Sequence, residues 1–166
     1  GYGDVFVFIF FGLVSTLGVN FLYSTQLDFD LFLPAIGIGL LSVAVLNLNN
    51  MRDEASDRKS GKNTIVVQMG GEKAKKYHYF LIITAMVVFV VFALLNNFNI
   101  DQYLFLVAYY PLVKHLDTVK KNTNPKELDP ELKKVALSTF LLSVLFSLCM
   151  IYFFSDVIVN TFMGGR

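Results

Sequence analysis

Charge and cysteine are both scarce in this sequence. Charged residues make up 16% of its 166 positions, whereas a soluble domain has about 25%. The one cysteine, Cys149, lies in an apolar run and can form neither an intrachain disulfide nor a metal site by itself. The net charge is only +1, so no strong positive field favours a nucleic-acid partner. The shortage of charge indicates that the main partner of the chain is the lipid bilayer.

The apolar residues are concentrated in five long runs. These runs lie at about 5–25, 31–51, 77–95, 102–119 and 135–154. A transmembrane helix needs about 20 mostly apolar residues to cross about 30 Å of hydrocarbon. Strands are excluded because the runs are too long and because open sheet edges cannot face lipid. The sequence therefore predicts an all-α, multi-span transmembrane bundle of about five helices, forming one domain over residues 1–166.

The basic residues alternate between the connecting loops. Residues 52–76 hold seven Lys or Arg and residues 114–134 hold six, whereas 26–30 and 96–101 hold none. Loops rich in Lys and Arg stay on the cytoplasmic side of a membrane. We therefore expect a multi-pass protein of the inner (cytoplasmic) cell membrane, with loops 52–76 and 114–134 in the cytoplasm.

Small residues in the first two runs predict close helix packing. Gly12, Gly18, Gly37 and Gly39 are residues that allow helices to approach each other in lipid. Two histidines, His78 and His115, lie near the predicted cytoplasmic ends of two runs. We expect both to be interfacial, with contact to an aromatic substrate or a role as a base as the alternative.

The end of the second run carries the most concentrated chemistry. If the helix continues past the apolar run, Asn49, Asp53 and Asp57 fall at i, i+4 and i+8 and line one face. Oxygen ligands of this kind suit Mg²⁺, which takes one or two carboxylates and shares phosphate oxygens of a substrate. Basic residues that could hold the same phosphates surround this face: Arg52, Arg58, Lys59 and Lys62. The alternative is a solvated loop of mixed charge that serves only topology.

The same segment resembles a known family motif. Residues 49–64 read N-N-x-R-D-x-x-x-D-R-K-x-G-K-x-T, which is similar to the second aspartate-rich motif of the UbiA family of membrane prenyltransferases. The closest likeness is to the 1,4-dihydroxy-2-naphthoate polyprenyltransferase branch of menaquinone biosynthesis. Residues 3–8, G-D-V-F-V-F, and residues 11–14, F-G-L-V, resemble the start of the fifth helix in that branch.

The resemblance implies a magnesium-dependent transferase. Its substrates would be a polyprenyl diphosphate and 1,4-dihydroxy-2-naphthoate, which loses its carboxyl group to give demethylmenaquinone. The implied catalytic residues are Asp53, Asp57 and Asn49, and the two aspartates would also bind the metal. The implied substrate-binding residues are Arg52, Lys59, Lys62 and Asn50.

The resemblance covers only the C-terminal part of that fold. Such enzymes have nine helices, and the five here would be the last five, without the first aspartate-rich motif. The chain begins Gly-Tyr-Gly with no basic stretch before its first apolar run, so we expect a piece of a longer protein rather than a secretory precursor. We expect this piece to be inactive without the N-terminal helices of the same protein.

Other functions stay open at this point. The chain could belong to another UbiA-type aromatic prenyltransferase, or it could be a non-catalytic scaffold or transporter module in which the motif is only a charged loop. A CDP-alcohol phosphotransferase also uses aspartates at the membrane, but its D-G-x-x-A-R pattern is missing here.

Overall fold

All regular secondary structure in the described part of the chain is helical. The computed structural model describes the backbone of residues 1–163 and the side-chain surroundings of residues 1–151. Six helices follow in chain order: α1 (Gly3–Ser24), α2 (Phe32–Lys59), α3 (Ile65–Met69), α4 (Gly71–Leu95), α5 (Tyr109–Lys121) and α6 (Asp129–Met163). The middle of α1 is π-helical over Phe8–Gly18. Short 3₁₀ segments lead into α2, α5 and α6 at Phe29–Leu31, Ile100–Ala108 and Pro125–Leu128.

Four segments of the described residues are long and apolar enough to cross a membrane. They are Gly3–Ser24, Phe29–Lys59, Gly71–Leu95 and Pro125–Ile151. The prediction of an all-α membrane bundle is confirmed, and four of the five predicted runs fall within these segments.

The fourth predicted run, 102–119, is not among those four segments. It forms the 3₁₀ helix Ile100–Ala108 followed by α5, and the charged residues Lys114 and Asp117 in α5 lower its apolar character. The prediction that residues 102–119 form a uniformly apolar transmembrane span was therefore wrong.

This segment nevertheless lies antiparallel to α4 along much of its length. The Tyr109 hydroxyl donates to the Met86 carbonyl oxygen at 2.7 Å, and the Tyr79 hydroxyl donates to the Leu116 carbonyl oxygen at 2.5 Å. Farther along, Lys75 Nζ donates to the carbonyl oxygen of Asn122 at 2.9 Å. Because these contacts follow α4 turn after turn, residues 100–121 return the chain to the end of the bundle where α4 begins.

Three of the four predicted packing glycines lie at close helix contacts. A Cβ atom on Gly12 would lie 2.6 Å from Gly39 Cα, so α1 and α2 touch backbone to backbone. A Cβ atom on Gly37 would lie 2.5 Å from the Phe89 ring. Gly18 is different, because a Cβ atom there would meet only Val14 of its own helix at 3.8 Å. The predicted close approach at Gly18 was therefore wrong.

A chain of buried polar side chains joins α2 to α4, α5 and α6. Asn47 Nδ2 donates to His78 Nδ1 at 3.4 Å, and the two histidine Nε2 atoms of His78 and His115 lie 2.8 Å apart. His115 Nδ1 lies 2.6 Å from Glu131 Oε2, and Glu131 Oε1 accepts from Lys134. Both histidines are fully buried, so the prediction that they are interfacial was wrong.

The order of donors assigns the tautomer of each ring. Because His78 Nδ1 accepts from the Asn47 amide, its proton lies on Nε2 and is donated to His115. His115 then carries its proton on Nδ1 and donates it to Glu131. This chain fixes α2, which carries the motif, to α4, α5 and α6.

We predict that Gly12→Ala destabilises the protein and that Gly18→Ala does not. The new methyl group at Gly12 meets backbone atoms that cannot rotate away, and such overpacking costs about 1–3 kcal/mol. At Gly18 the methyl group enters open space, and alanine favours the helix by roughly 0.5–1 kcal/mol. Thermal unfolding of the two variants in detergent checks this, and equal melting temperatures would contradict the assigned contact.

We predict that His115→Ala lowers the free energy of unfolding by about 1–3 kcal/mol, because it leaves buried polar groups of His78 and Glu131 without partners. The matched control is Lys114→Ala, one residue away on the exposed side of α5. Apparent melting temperatures in detergent measure both. A control that melts as low as His115→Ala would show that the polar chain is not what stabilises the bundle.

Candidate functional site

The motif lies on one unbroken helix. α2 continues through Asp53 and Asp57 to Lys59, as the sequence predicts, so Asn49, Asp53 and Asp57 share one face at successive turns. The helix ends where Gly61 adopts a φ of +74°, a left-handed conformation that glycine adopts without strain. The Lys62 backbone N–H then donates to the Asp57 carbonyl oxygen at 2.9 Å. Gly61 is thus the helix terminator that turns the chain back towards the motif.

Arg52 is the centre of the hydrogen bonding in the motif. Its Nε and one terminal nitrogen donate to the two carboxylate oxygens of Asp53, both at 2.8 Å. The same terminal nitrogen donates to Asn49 Oδ1 at 2.8 Å, and the other donates to Asp129 Oδ1 at 2.6 Å. A bidentate guanidinium–carboxylate pair fixes geometry as well as charge. Arg52 therefore orients two residues of the motif and links α2 to the start of α6.

Asp57 is more buried than Asp53 and pairs with a different basic side chain. Its side chain is buried, and Lys62 Nζ lies 3.1 and 3.3 Å from its two oxygens. Lys59 is exposed at the end of α2, and Asn50 is buried. The candidate residues are therefore brought to one end of α2, with Lys59 and Lys62 exposed to solvent.

A polar pocket of about 280 Å³ opens beside the motif. Its walls include Asn49, Asn50, Lys62 and Thr64 from the motif segment, and Asp4 from the first turn of α1. The side chain of Thr64 caps α3 by accepting from the Val67 N–H at 3.1 Å, which holds the loop of residues 60–64 against the pocket.

Asp4 is a site residue that sequence reasoning missed. It is 5% exposed, and its Oδ2 makes no hydrogen bond within the described residues. The signal was present, since an acidic residue at the start of an apolar run is costly in a membrane and often functional. Asp129 was also missed, and nothing in its own loop sequence points to Arg52.

An apolar groove of about 480 Å³ adjoins the polar pocket. Its walls come from three helices: Val7 and Phe11 of α1, Ser42, Val45, Leu46 and Asn49 of α2, and Leu132, Ala136 and Thr139 of α6. Asn49 and Leu46 line both cavities. An apolar passage between helices therefore begins at Asn49, the first residue of the motif face, whereas Asp53 and Asp57 line neither cavity.

The site offers oxygen donors suited to a hard cation but not a complete ligand set. Among residues 1–151, no group of three His, Cys, Asp or Glu side chains is arranged to hold a metal ion. Asn49, Asp53 and Asp57 do supply an amide oxygen and two carboxylates on one face, which is the donor chemistry that Mg²⁺ prefers. Each carboxylate already has a basic partner, Arg52 or Lys62.

Comparison with known proteins agrees with the family resemblance of the motif segment. The sequence pattern of the UbiA prenyltransferase family matches residues 1–130. Proteins named 1,4-dihydroxy-2-naphthoate octaprenyltransferase from Haemophilus influenzae and Escherichia coli are 40% and 39% identical over 148 residues, covering 89% of this chain and 48% of each relative. The UbiA prenyltransferase domain-containing protein 1 homolog of Drosophila melanogaster is 26% identical over 145 residues, covering 87% of this chain and 39% of that protein. No solved structure matches the chain.

The chain spans about half the length of the curated relatives it matches. The family pattern nevertheless covers more than half of this chain and includes the whole motif segment. The resemblance inferred from residues 49–64 is therefore confirmed, and the chain belongs to the UbiA prenyltransferase family.

Proposed function

We propose that the full-length protein transfers a polyprenyl group from polyprenyl diphosphate to 1,4-dihydroxy-2-naphthoate, with loss of the ring carboxyl group, to give demethylmenaquinone in its reduced, quinol form. The observation that carries this proposal is the position of Asn49, which lines both the apolar groove and the polar pocket. A substrate with an apolar tail and a charged head needs such a junction. The names of the relatives from Haemophilus influenzae and Escherichia coli agree with this substrate pair.

The proposed chemistry divides between the two cavities. The prenyl tail occupies the groove between α1, α2 and α6, and the diphosphate lies at the motif. The allylic carbon–oxygen bond breaks, pyrophosphate leaves with the electron pair, and the ring carbon attacks the allylic cation as carbon dioxide departs. The apolar walls of Val7, Phe11 and Leu132 keep water away from the cation.

The proposed metal site consists of Asp53 and Asp57, with Asn49 beside them. Mg²⁺ held there supplies Lewis-acid stabilisation of the departing pyrophosphate. Lys59, Lys62 and Asn50 are proposed contacts of the diphosphate. Arg52 is proposed to act both on the diphosphate and through the orientation it imposes on Asp53 and Asn49.

We propose that the protein lies in the inner cell membrane with loops 52–76 and 114–134 in the cytoplasm. Support comes from contacts between the two loop regions. Arg52 reaches Asp129 at 2.6 Å, and Lys75 reaches the carbonyl oxygen of Asn122 at 2.9 Å. Both basic loops therefore lie at the same end of the bundle, as the positive-inside rule requires.

We also propose that the N-terminal helices of the same protein complete the site. The chain covers 48% of its bacterial relatives, and within the described residues no group of three His, Cys, Asp or Glu side chains could hold a metal ion. The chain as given, residues 1–166, would then be one part of a larger membrane domain and would lack activity alone.

We predict that Asp53→Asn in the full-length protein lowers kcat on the order of 10²–10³-fold, because a neutral amide stabilises the metal and the leaving group far less. Membrane insertion and melting temperature should change little. Asp117→Asn is the matched control, since Asp117 is exposed and pairs only with Lys121 four residues later. Prenyl transfer in detergent is measured against Mg²⁺ concentration. Undiminished transfer by Asp53→Asn would favour the non-catalytic scaffold.

We predict that Arg52→Lys raises the Mg²⁺ concentration needed for half-maximal activity by about 10–100-fold, the usual effect of losing a residue that orients a metal ligand. Lysine cannot reproduce the two parallel hydrogen bonds to Asp53. The control is Arg58→Lys, because Arg58 is exposed and its half-buried partner Glu54 lies outside the metal face. If the Mg²⁺ requirement stays the same while the KM for the prenyl diphosphate rises, Arg52 acts on the substrate alone.

A further inference from the structure

One nitrogen of the Arg52 guanidinium group does not serve the motif. Nε and Nη2 donate to Asp53 and Asn49, whereas Nη1 donates to Asp129 Oδ1 at 2.6 Å. A guanidinium group has five N–H donors, and both hydrogens of Nη2 are taken by Asp53 and Asn49. A ligand that binds Arg52 without disturbing these two residues must therefore bind at Nη1, beside Asp129.

The Asp129 side chain is easy to displace from Arg52. It is 68% exposed, whereas the Asp53 side chain is 32% exposed and is held by two parallel hydrogen bonds. Exposed ion pairs are weak, because water solvates the separated charges and pairing restricts two side chains. Rotation of Asp129 into solvent therefore costs little free energy.

The backbone at Asp129 is held in place without the ion pair. Leu128, the preceding residue, is 2% exposed, and it lines a small cavity of about 100 Å³ together with Met51 of α2. The Asp129 backbone N–H donates to the Lys126 carbonyl oxygen. The start of α6 therefore stays packed on α2 when the Asp129 side chain leaves Arg52, and the side chain can return to the same position.

We infer that Asp129 is the resting-state partner of Arg52 Nη1 and that the diphosphate displaces it. The inference rests on the proposed function for the location of the diphosphate at the motif. A phosphate oxygen that binds the remaining hydrogen of Nη1 lies beside the Asp129 carboxylate, and the two negative charges repel each other. The diphosphate is the stronger acceptor of the two because it carries more charge and more oxygens.

This exchange explains how Arg52 serves two purposes. Nε and Nη2 keep Asp53 and Asn49 oriented throughout, and only Nη1 changes its partner. After the carbon–oxygen bond breaks, Asp129 competes with pyrophosphate for Nη1 and lowers the affinity for this product. Asp129 is thus a residue that promotes release of pyrophosphate by acting through Arg52.

The test is the affinity of the full-length protein for pyrophosphate, measured by calorimetry at saturating Mg²⁺ before and after Asp129→Asn. The variant should bind pyrophosphate about two- to fivefold more tightly, the factor that an exposed ion pair contributes. The KM for the polyprenyl diphosphate should fall by a similar factor, and that for the naphthoate should stay within about twofold. A residue that only holds Arg52 in place would weaken diphosphate binding when it is removed.

Two controls separate competition at Arg52 from a general effect of charge. Glu127→Gln removes the same charge two residues away, at an exposed side chain that accepts from Asn124, and it should leave the affinity for pyrophosphate within about 1.5-fold. Asp129→Glu keeps the carboxylate and should bind pyrophosphate as the unmodified protein does. In a double-mutant cycle with Arg52→Gln, Asp129→Asn should no longer increase the affinity. Pyrophosphate is titrated to millimolar concentrations so that weak binding stays measurable.

The outcomes distinguish this inference from the proposed function. If the unmodified full-length protein transfers no prenyl group, the proposed function is wrong. If it does transfer, unchanged or weaker pyrophosphate binding by Asp129→Asn overturns the inference alone. An equal gain in Glu127→Gln, or a gain that persists beside Arg52→Gln, also overturns it, because the charge would then act from a distance. Asp129→Ser undergoes the same measurements, so that misfolding of one variant leaves the comparison available.

Discussion

Polar groups inside a membrane bundle must find their partners within the protein, because hydrocarbon offers none. This constraint explains the arrangement around α2. On the buried side of the helix it produces the chain from Asn47 through His78 and His115 to Glu131. At the partly exposed end of the helix, three acceptors hold Arg52: Asp53, Asn49 and Asp129. The helix that carries the candidate site is thus fixed by polar contacts on both faces.

The two polar systems have different physical characters. The chain behind α2 is buried, and each histidine nitrogen in it has a partner, so it contributes position rather than chemistry. The motif side opens to two cavities. A buried hydrogen-bonded network makes the scaffold rigid, whereas polar side chains that line a cavity remain within reach of a ligand.

The sequence was sufficient for the helices and for the face of the motif, and insufficient for the partners across helices. Four of the five hydrophobic runs of about 20 residues correspond to helices long enough to cross a membrane, and the spacing of Asn49, Asp53 and Asp57 follows from helical periodicity alone. The run 102–119 was harder, because its polar residues are needed for contacts with α4 and reduce its apolar signal. The burial of His78 and His115 and the pair of Arg52 with Asp129 depend on which helices meet, and a single sequence does not reveal that.

The charge balance of the motif also bears on how a metal ion and a diphosphate would bind there. Asp53 and Asp57 are each neutralised by a cation of the chain itself, Arg52 and Lys62. A metal ion arriving alone would have to compete with these cations and would gain only two carboxylates. A metal ion arriving with a diphosphate changes the balance, because the phosphate oxygens become new acceptors for the same Arg and Lys side chains and additional ligands for the metal. The basic partners of the aspartates therefore favour joint binding of metal and diphosphate over binding of the metal alone, and further carboxylates from a second motif would supply the metal ligands that this chain lacks.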